Sequence, residues 1–234
     1  MATQTKETEP KIRIRLANCS DVKQLADLHY LCSLDQPGGF MHKLGRRFLV
    51  AYYRIVLSEP MSLVLCADGG TDGIVGLVSA SLDARAHLQA LREGRYKLLF
   101  AVLPALIRQP KLIKAVSFRK KSLSVAAMGE GFIVGSGARV AYWGWLPNYP
   151  SGRQSIRLLQ TLLWILGALG ASAVQLEVDR VNRKVEVVHR LLGAKVVREF
   201  ATSDGRVRLV MEHDLDAMCR KTSTSVRRKP DLSP

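Results

Sequence analysis

The stretch with the clearest chemical potential is Trp145 to Leu159, WLPNYPSGRQSIRLL. It reads as a strand that stops at Pro147, a short polar loop from Asn148 to Gly152, and a helix that begins at once. The first amides of a helix have no internal partner and lie at the positive end of its dipole. A loop carrying Gly152 and Ser155 at that point can cradle a phosphate, and Arg153 adds a forked, charged donor. An ordinary connector has the same geometry, so a second set of residues must decide. Glu177 and Asp179 fall on one face of a strand by alternation, as strand-end carboxylates or as a base. His189 is the one imidazole nearby in sequence, and its ordinary pKa of about 6.5 suits proton transfer. It lies at the edge of a helical stripe of Val185, Val188 and Leu192, so a boundary histidine without a chemical task is the competing reading.

The elements that must carry these residues follow from periodicity. Ile12, Ile14 and Leu16 alternate with arginines as in a strand, and Ser20 is placed to cap a helix whose buried stripe is Val22, Leu25, Leu28 and Cys32. A second helical pattern runs from Phe40 to Val56. Leu63–Ala67 and Ile74–Ser81 predict an antiparallel hairpin around the Asp68–Gly73 turn. Then come a strand at Val140–Leu146, a helix at about Arg153–Leu169, a strand at Ala173–Val178 and a helix at Arg183–Leu192. Two last strands, Lys195–Phe200 and Val207–Glu212, flank a Ser203-Asp204-Gly205 turn. That order predicts an α/β sandwich of three layers, a mixed central sheet flanked by helices. A helical insert, about residues 85–130, stands between the third and fourth strands. Residues 1–10 read as a disordered N-terminus, 11–216 as one domain, and 217–234 as a basic flexible tail.

The segment Leu176-Glu177-Val178-Asp179-Arg180-Val181-Asn182, followed by Val185, His189 and Leu192-Gly193-Ala194, resembles the C-terminal half of the GNAT superfamily of acyl-CoA-dependent N-acyltransferases. There a strand of the form L-x-V-x-x-x-N leads into a helix of the form N-x-x-A-x-x-x-Y-x-x-x-G-F. Upstream, Trp145-Leu146-Pro147 stands at the family's V-x-P, and Pro150–Ser155 at its R-G-x-G-x-G/A phosphate loop. The resemblance spans about Ile12 to Leu215. It implies a GNAT-like sandwich whose fourth and fifth strands part to admit acetyl-CoA as co-substrate. Backbone amides near Trp145 and Leu146 would then meet pantetheine and polarise the thioester carbonyl, and Asn182 would touch pantetheine from the other wall. Gly152, Arg153, Gln154 and Ser155 would hold the diphosphate, and His189 would return a proton to the departing thiolate. Trp143 reads as core and Trp145 as lining the slot. Two positions depart from the pattern: Arg153 stands where the family has glycine, and His189 where it often has tyrosine. The activity implied is acetyl transfer to a primary amine of a small acceptor, with an anionic amino sugar as one candidate and O-acylation still open. The alternative is a GNAT-like binding or regulatory module without catalysis.

Composition narrows the partners. The 234 residues carry a net charge of +15, which favours anionic partners. Nine lysines and arginines lie between Arg92 and Lys121 against Glu93, with Leu98, Leu99, Val102, Leu103, Leu106 and Ile107 as an apolar side. Such a segment can act as a solvated lid, attract a phosphorylated substrate, or lie on an anionic membrane. Aromatics are not interleaved with the basic residues, which disfavours nucleic acid. Cys19, Cys32, Cys66 and Cys219 form no C-x-x-C pair, so neither a metal site nor a disulfide framework is expected. With no signal peptide and no apolar run of membrane-spanning length, the expectation is a soluble, cytoplasmic protein.

Overall fold

The computed structural model describes residues 12–34, 36, 41–113, 136–150, 152–202, 205–218 and 220. The N-terminal segment 1–10, most of the basic tail, Phe40, Cys219 and the second part of the insert lie outside them. In chain order the elements are β1 (Arg13–Leu16), α1 (Val22–Leu34), α2 (Arg46–Ser58), β2 (Ser62–Asp68), β3 (Ile74–Ser81), α3 (Ala84–Glu93), α4 (Arg95–Arg108) and β4 (Ala138–Trp145). There follow α5 (Gly152–Ala168), β5 (Ala173–Asp179), α6 (Arg183–Leu191), β6 (Lys195–Ala201) and β7 (Val207–Asp214). The strands form one sheet in the order β1-β2-β3-β4-β5-β7-β6. All neighbours are antiparallel except β4 and β5. This is the expected three-layer α/β sandwich.

The two faces of the sheet bury separate apolar clusters. Leu158, Leu159, Leu162, Leu163 and Leu166 of α5 cover one face, over Leu65, Val78, Leu176 and Met211. Leu25, Leu49, Tyr53 and Val56 of α1 and α2 cover the other, over Val64, Cys66 and Leu77. The helical spacing of the leucines in α5 makes this possible, since positions three and four apart share a side. Every residue of β3 is buried, as expected for a strand covered on both faces.

Local signals explain how the sheet is entered. Asn18, and not Ser20, caps the first turn. Its Oδ1 accepts from the Ser20 amide at 2.8 Å, and its own N–H donates to Asp21 Oδ2 at 2.8 Å, a reciprocal capping box. Arg15 then ties that turn to the sheet, donating to both Asp21 oxygens at 2.7 and 2.9 Å and to Asp68 at 2.9 Å. The second helix is split: a short 3-10 turn over Met41–Leu44 precedes α2, and Gly45 joins them at φ +85°. Among the described residues, no helix is long and apolar enough to cross a membrane.

Candidate active site

The parallel pairing of β4 and β5 consists of two registers only, Ala138 with Val174 and Arg139 with Gln175. Beyond them the strands separate. The cause is visible in the pairing of β4 with β3, where Ala80 faces Val140 and Ser79 faces Tyr142, so Ala141 has no partner. One extra residue bends a strand and resets its alternation. Ala138 and Val140 before the bulge, and Trp143 and Trp145 after it, all pack on the α5 side. Tyr142 is turned to the α1 side, where its ring stacks on His29 at 3.6 Å between centroids. The gap so formed is a cleft of about 230 Å³. One wall is Val140 to Trp143, the other Leu176 to Asp179, and Asn182, Val185 and His189 of α6 and its approach close one end.

The backbone facing the cleft is fixed by the β3–β4 ladder. The Leu146 amide donates to the Val75 carbonyl at 2.8 Å, so this amide belongs to the sheet and is not available to a ligand. Leu146 therefore leaves the expected donor set. In an antiparallel ladder the next residues alternate, which turns the main-chain groups of Trp145 and Trp143 away from β3 and toward the gap. The Trp145 carbonyl is already engaged there, accepting from the Cys32 thiol at 3.0 Å. The Trp143 ring packs against the core as expected but also lines the cleft, and the Trp145 ring is not the one that lines it. Trp145 lies over Gly76 and meets Tyr149 edge to face. A Cβ on Gly76 would fall 2.4 Å from the Trp145 ring, so the ring occupies space that only glycine leaves open.

His189 is more deeply placed than the edge of a stripe, at 1% exposure. Its ring meets Trp143 edge to face, and its Nδ1 lies 2.9 Å from Nε2 of His213, a β7 residue. Burial, then the neighbouring imidazole of His213, lowers its pKa to about 3; burial lowers that of His213 to about 4. Both rings are neutral near pH 7, so His189 does not act there as an imidazolium acid. The end of α6 that presents His189 is held by a Schellman closure. Ala194 N–H donates to the His189 carbonyl and Gly193 N–H to the Arg190 carbonyl, with Gly193 at φ +91°. The Gly193-Ala194 pair in the sequence is this closure.

The floor of the cleft is charged. Glu177 and Asp179 do share a face, the one opposite the α5 core, and each meets arginine. Arg208 Nη1 donates to Glu177 Oε2 at 3.1 Å, Arg139 lies 3.4 Å from Oε1, and Arg206 Nη1 donates to Asp179 Oδ2 at 3.1 Å. Glu177 Oε1 is buried and accepts no hydrogen bond among the described residues, and the buried indole N–H of Trp143 donates none. Such groups call for a partner, which water or a ligand in the cleft can supply. Sequence reasoning missed the three arginines and His213. Arg206 and Arg208 alternate at the start of β7, a spacing visible in the sequence, but that they face Glu177 and Asp179, like the placing of Arg139 and His213, needs the strand register.

Gly152, Arg153, Gln154 and Ser155 form the first turn of α5, and none of them lines the cleft. Gly152 and Arg153 are exposed and Ser155 is buried. A Cβ at Gly152 would meet nothing within 4 Å, so packing does not demand the glycine. The open space beside it permits close approach of an anion to the turn. The structure thus brings Asn182 and His189 together in the cleft and sets Gly152–Ser155 apart, beyond the end of β4.

No protein-family model matches the sequence, and no curated protein matches it. Solved structures do match its fold. A spermidine N-acetyltransferase chimera from Vibrio cholerae superposes with a TM-score of 0.55 at 9% identity, covering 89% of this chain and 98% of the other. An aminoglycoside 6'-acetyltransferase of type Ii gives 0.53 at 13%, over 87% and 97% of the two chains. The PaiA N-acetyltransferase from Thermoplasma acidophilum, solved with coenzyme A, gives 0.51 at 13%, over 87% and 99%. At such identities the likeness is one of fold, and the fold is that of the GNAT acetyltransferases.

Proposed function

We propose that this chain, built on the GNAT fold, is an N-acetyltransferase that moves an acetyl group from acetyl-CoA to a primary amine of a small acceptor. The observation that carries this reading is the parting of β4 from β5 beyond Arg139 and Gln175, with a cleft between them. Fold neighbours support the co-substrate: a Salmonella typhimurium putative acetyltransferase and the Arabidopsis thaliana NAA60 protein were both solved with acetyl-CoA.

The residues divide the work as follows. The first turn of α5, with Gly152, Arg153, Gln154 and Ser155, receives the diphosphate; Asn182 meets the pantetheine arm. The main-chain amides of Trp143 and Trp145 face the gap and act as donors to the thioester carbonyl, the position where preorganised donors are most effective. The amine nitrogen attacks that carbonyl carbon, the C–N bond forms and the C–S bond breaks. The acceptor's ammonium gives one proton to solvent before the attack, and the second, lost from nitrogen as the amide forms, ends on the thiolate sulfur. Holding both substrates in one cleft supplies proximity, so no covalent enzyme intermediate is needed. His189, neutral and buried, positions the wall beside Trp143 and offers a neutral imidazole to the cleft. Glu177 and Asp179 draw the ammonium group of the acceptor to the opposite side, while Arg139, Arg206 and Arg208, which pair with them, favour an acceptor that also carries an anion. An amino sugar bearing phosphate or carboxylate has that chemistry.

Titration calorimetry with acetyl-CoA, followed by thiol release over a panel of amines, tests the proposal. Binding with amine-dependent thiol release is expected. The loss of the imidazolium role for His189, together with Arg153 at a glycine position, favours a second reading, a module that binds but does not catalyse. Acetyl-CoA binding without thiol release from any amine would establish that reading; absence of binding overturns both.

A further inference from the structure

The insert presents a surface that the transfer reaction does not use. Helix α4 packs on α2, with Leu98 against the cluster of α1 and α2 and Val102 buried. Its other apolar residues point elsewhere. At 3.6 residues per turn, Tyr96, Leu99, Phe100, Leu103 and Ile107 fall within an arc of about 100°. They are 61%, 51%, 71%, 40% and 75% exposed, respectively. Single exposed apolar side chains are common, but five on one face of one helix form a contiguous patch of the kind that marks an interaction site. The sequence that flanks it is basic, with Arg92, Arg95, Lys97, Arg108 and Lys111 against the single carboxylate of Glu93, and the Arg95 guanidinium lies 4.8 Å from the Tyr96 ring centroid at its edge.

We propose that this face of α4 docks on an anionic lipid bilayer. Charge selects the occupant. A second copy of the chain carries +15 itself and would set a basic rim against a basic rim. The stretch that follows in the sequence, 114–135, is also basic, with Lys114, Arg119, Lys120 and Lys121 against Glu130. Neither complements the basic rim, and cover of the arc by apolar residues of 114–135 such as Val116, Phe118 and Leu123 is the packed-within-the-chain outcome of the test below. A surface with apolar depth under a negative plane complements both rim and arc: an amphipathic helix lying in the interface buries its apolar arc among acyl chains and sets its cations among the headgroups. The patch is also a ridge of protruding side chains on a cylinder, which a deformable lipid boundary accepts without a preformed groove.

The test is sedimentation of the full chain with phosphatidylcholine vesicles, with and without phosphatidylserine. It is run at about 0.1 M and about 1 M salt, where the Debye length falls from about 10 Å to about 3 Å. Binding to the anionic vesicles is expected to exceed binding to neutral ones by about tenfold or more, and to fall in high salt. The double substitution F100E/I107E adds two carboxylates on exposed positions. It is expected to reduce binding by about tenfold or more while leaving the thermal midpoint unchanged. Three outcomes overturn the proposal: no preference for anionic vesicles, unchanged binding of F100E/I107E, which assigns it to another basic region, or a lowered midpoint in that variant, which shows the face to be packed within the chain. A monomer–dimer shift in F100E/I107E by sedimentation velocity assigns the face to a second copy, and saturable binding to an acidic protein with none to vesicles assigns it to a protein partner; either also overturns it.

Discussion

Nδ1 of His189 lies 2.9 Å from Nε2 of His213, joining α6 to β7 through two buried, neutral imidazoles. Burial lowers their pKa values to about 3 and about 4, and it does the same for two histidines on the other side of the fold, His29 to about 3 and His87 to about 4. Each titrates near 6.5 when unfolded, so between pH 6.5 and 4 the unfolded chain binds more protons than the folded one. The stabilisation is therefore complete above about pH 6.5 and is lost as pH falls toward 4. At pH 5 each group costs about 2 kcal/mol, and four of them together approach the whole net stability of a domain, about 5–15 kcal/mol. Thermal melts should show a steep drop in midpoint between pH 6.5 and 5, blunted in His213→Gln relative to its own value at pH 7.5. A flat profile over that range would sink the assignment of neutral buried histidines.

Gly76 should not tolerate a side chain. A Cβ would come within 2.4 Å of the Trp145 ring and 3.2 Å of the Ala67 methyl, both in a packed layer. Overpacking costs about 1–3 kcal/mol, so Gly76→Ala should lower denaturant stability by that amount and Gly76→Val by more. Equal stability of Gly76→Ala and the native chain would mean the ring moves freely.

The contrast between these two sites shows what the sequence discloses. Alternation on β5 placed Glu177 and Asp179 on one face, and the apolar spacing of Val185, Val188 and Leu192 placed the helix that carries His189, because both are properties of a few nearby residues. The bulge at Ala141 is not such a property: it depends on how β4 aligns with β3, and it turns Trp143 and Trp145 to the α5 side and Tyr142 to the α1 side. Leu146 fails as a donor for the same reason, since its amide is spent on a partner, Val75, that lies 71 positions upstream. His213 joins His189 only because β7 inserts between β5 and β6. Asn18 outcompetes Ser20 as a cap through a local hydrogen bond that the sequence permitted equally in either form. Short-range physics was legible; strand register was not.

Glu177→Gln tests the charged floor of the cleft. The substitution keeps the shape and the ability to accept a hydrogen bond, but removes the charge that pairs with Arg208 and attracts an ammonium group. A hydrogen bond to a charged group contributes about 1.5–3 kcal/mol, so KM for the amine should rise about ten- to a hundredfold. The Kd of acetyl-CoA should stay within a factor of about two, because the proposed contacts of that ligand are the first turn of α5 and Asn182. If Kd and KM rise together, the residue supports the cleft as a whole and has no specific part in holding the acceptor.

Arg153 is exposed at the first turn of α5, where the helix amides already favour a diphosphate. An exposed guanidinium adds only about 0.2–1 kcal/mol to such a contact, so Arg153→Gln should weaken acetyl-CoA binding by about 1.5- to fivefold at low salt, and by less at high salt. The comparison ligand is acetyl-pantetheine, which keeps the thioester and lacks the diphosphate; its use as a donor should be unchanged by the substitution. If Arg153 instead obstructs the turn, as a side chain at a position suited to glycine can, Arg153→Gly should bind acetyl-CoA more tightly than the native chain. The two signs are opposite, so one calorimetric series across native, Gln and Gly at position 153 decides whether the arginine holds the phosphate or stands in its way.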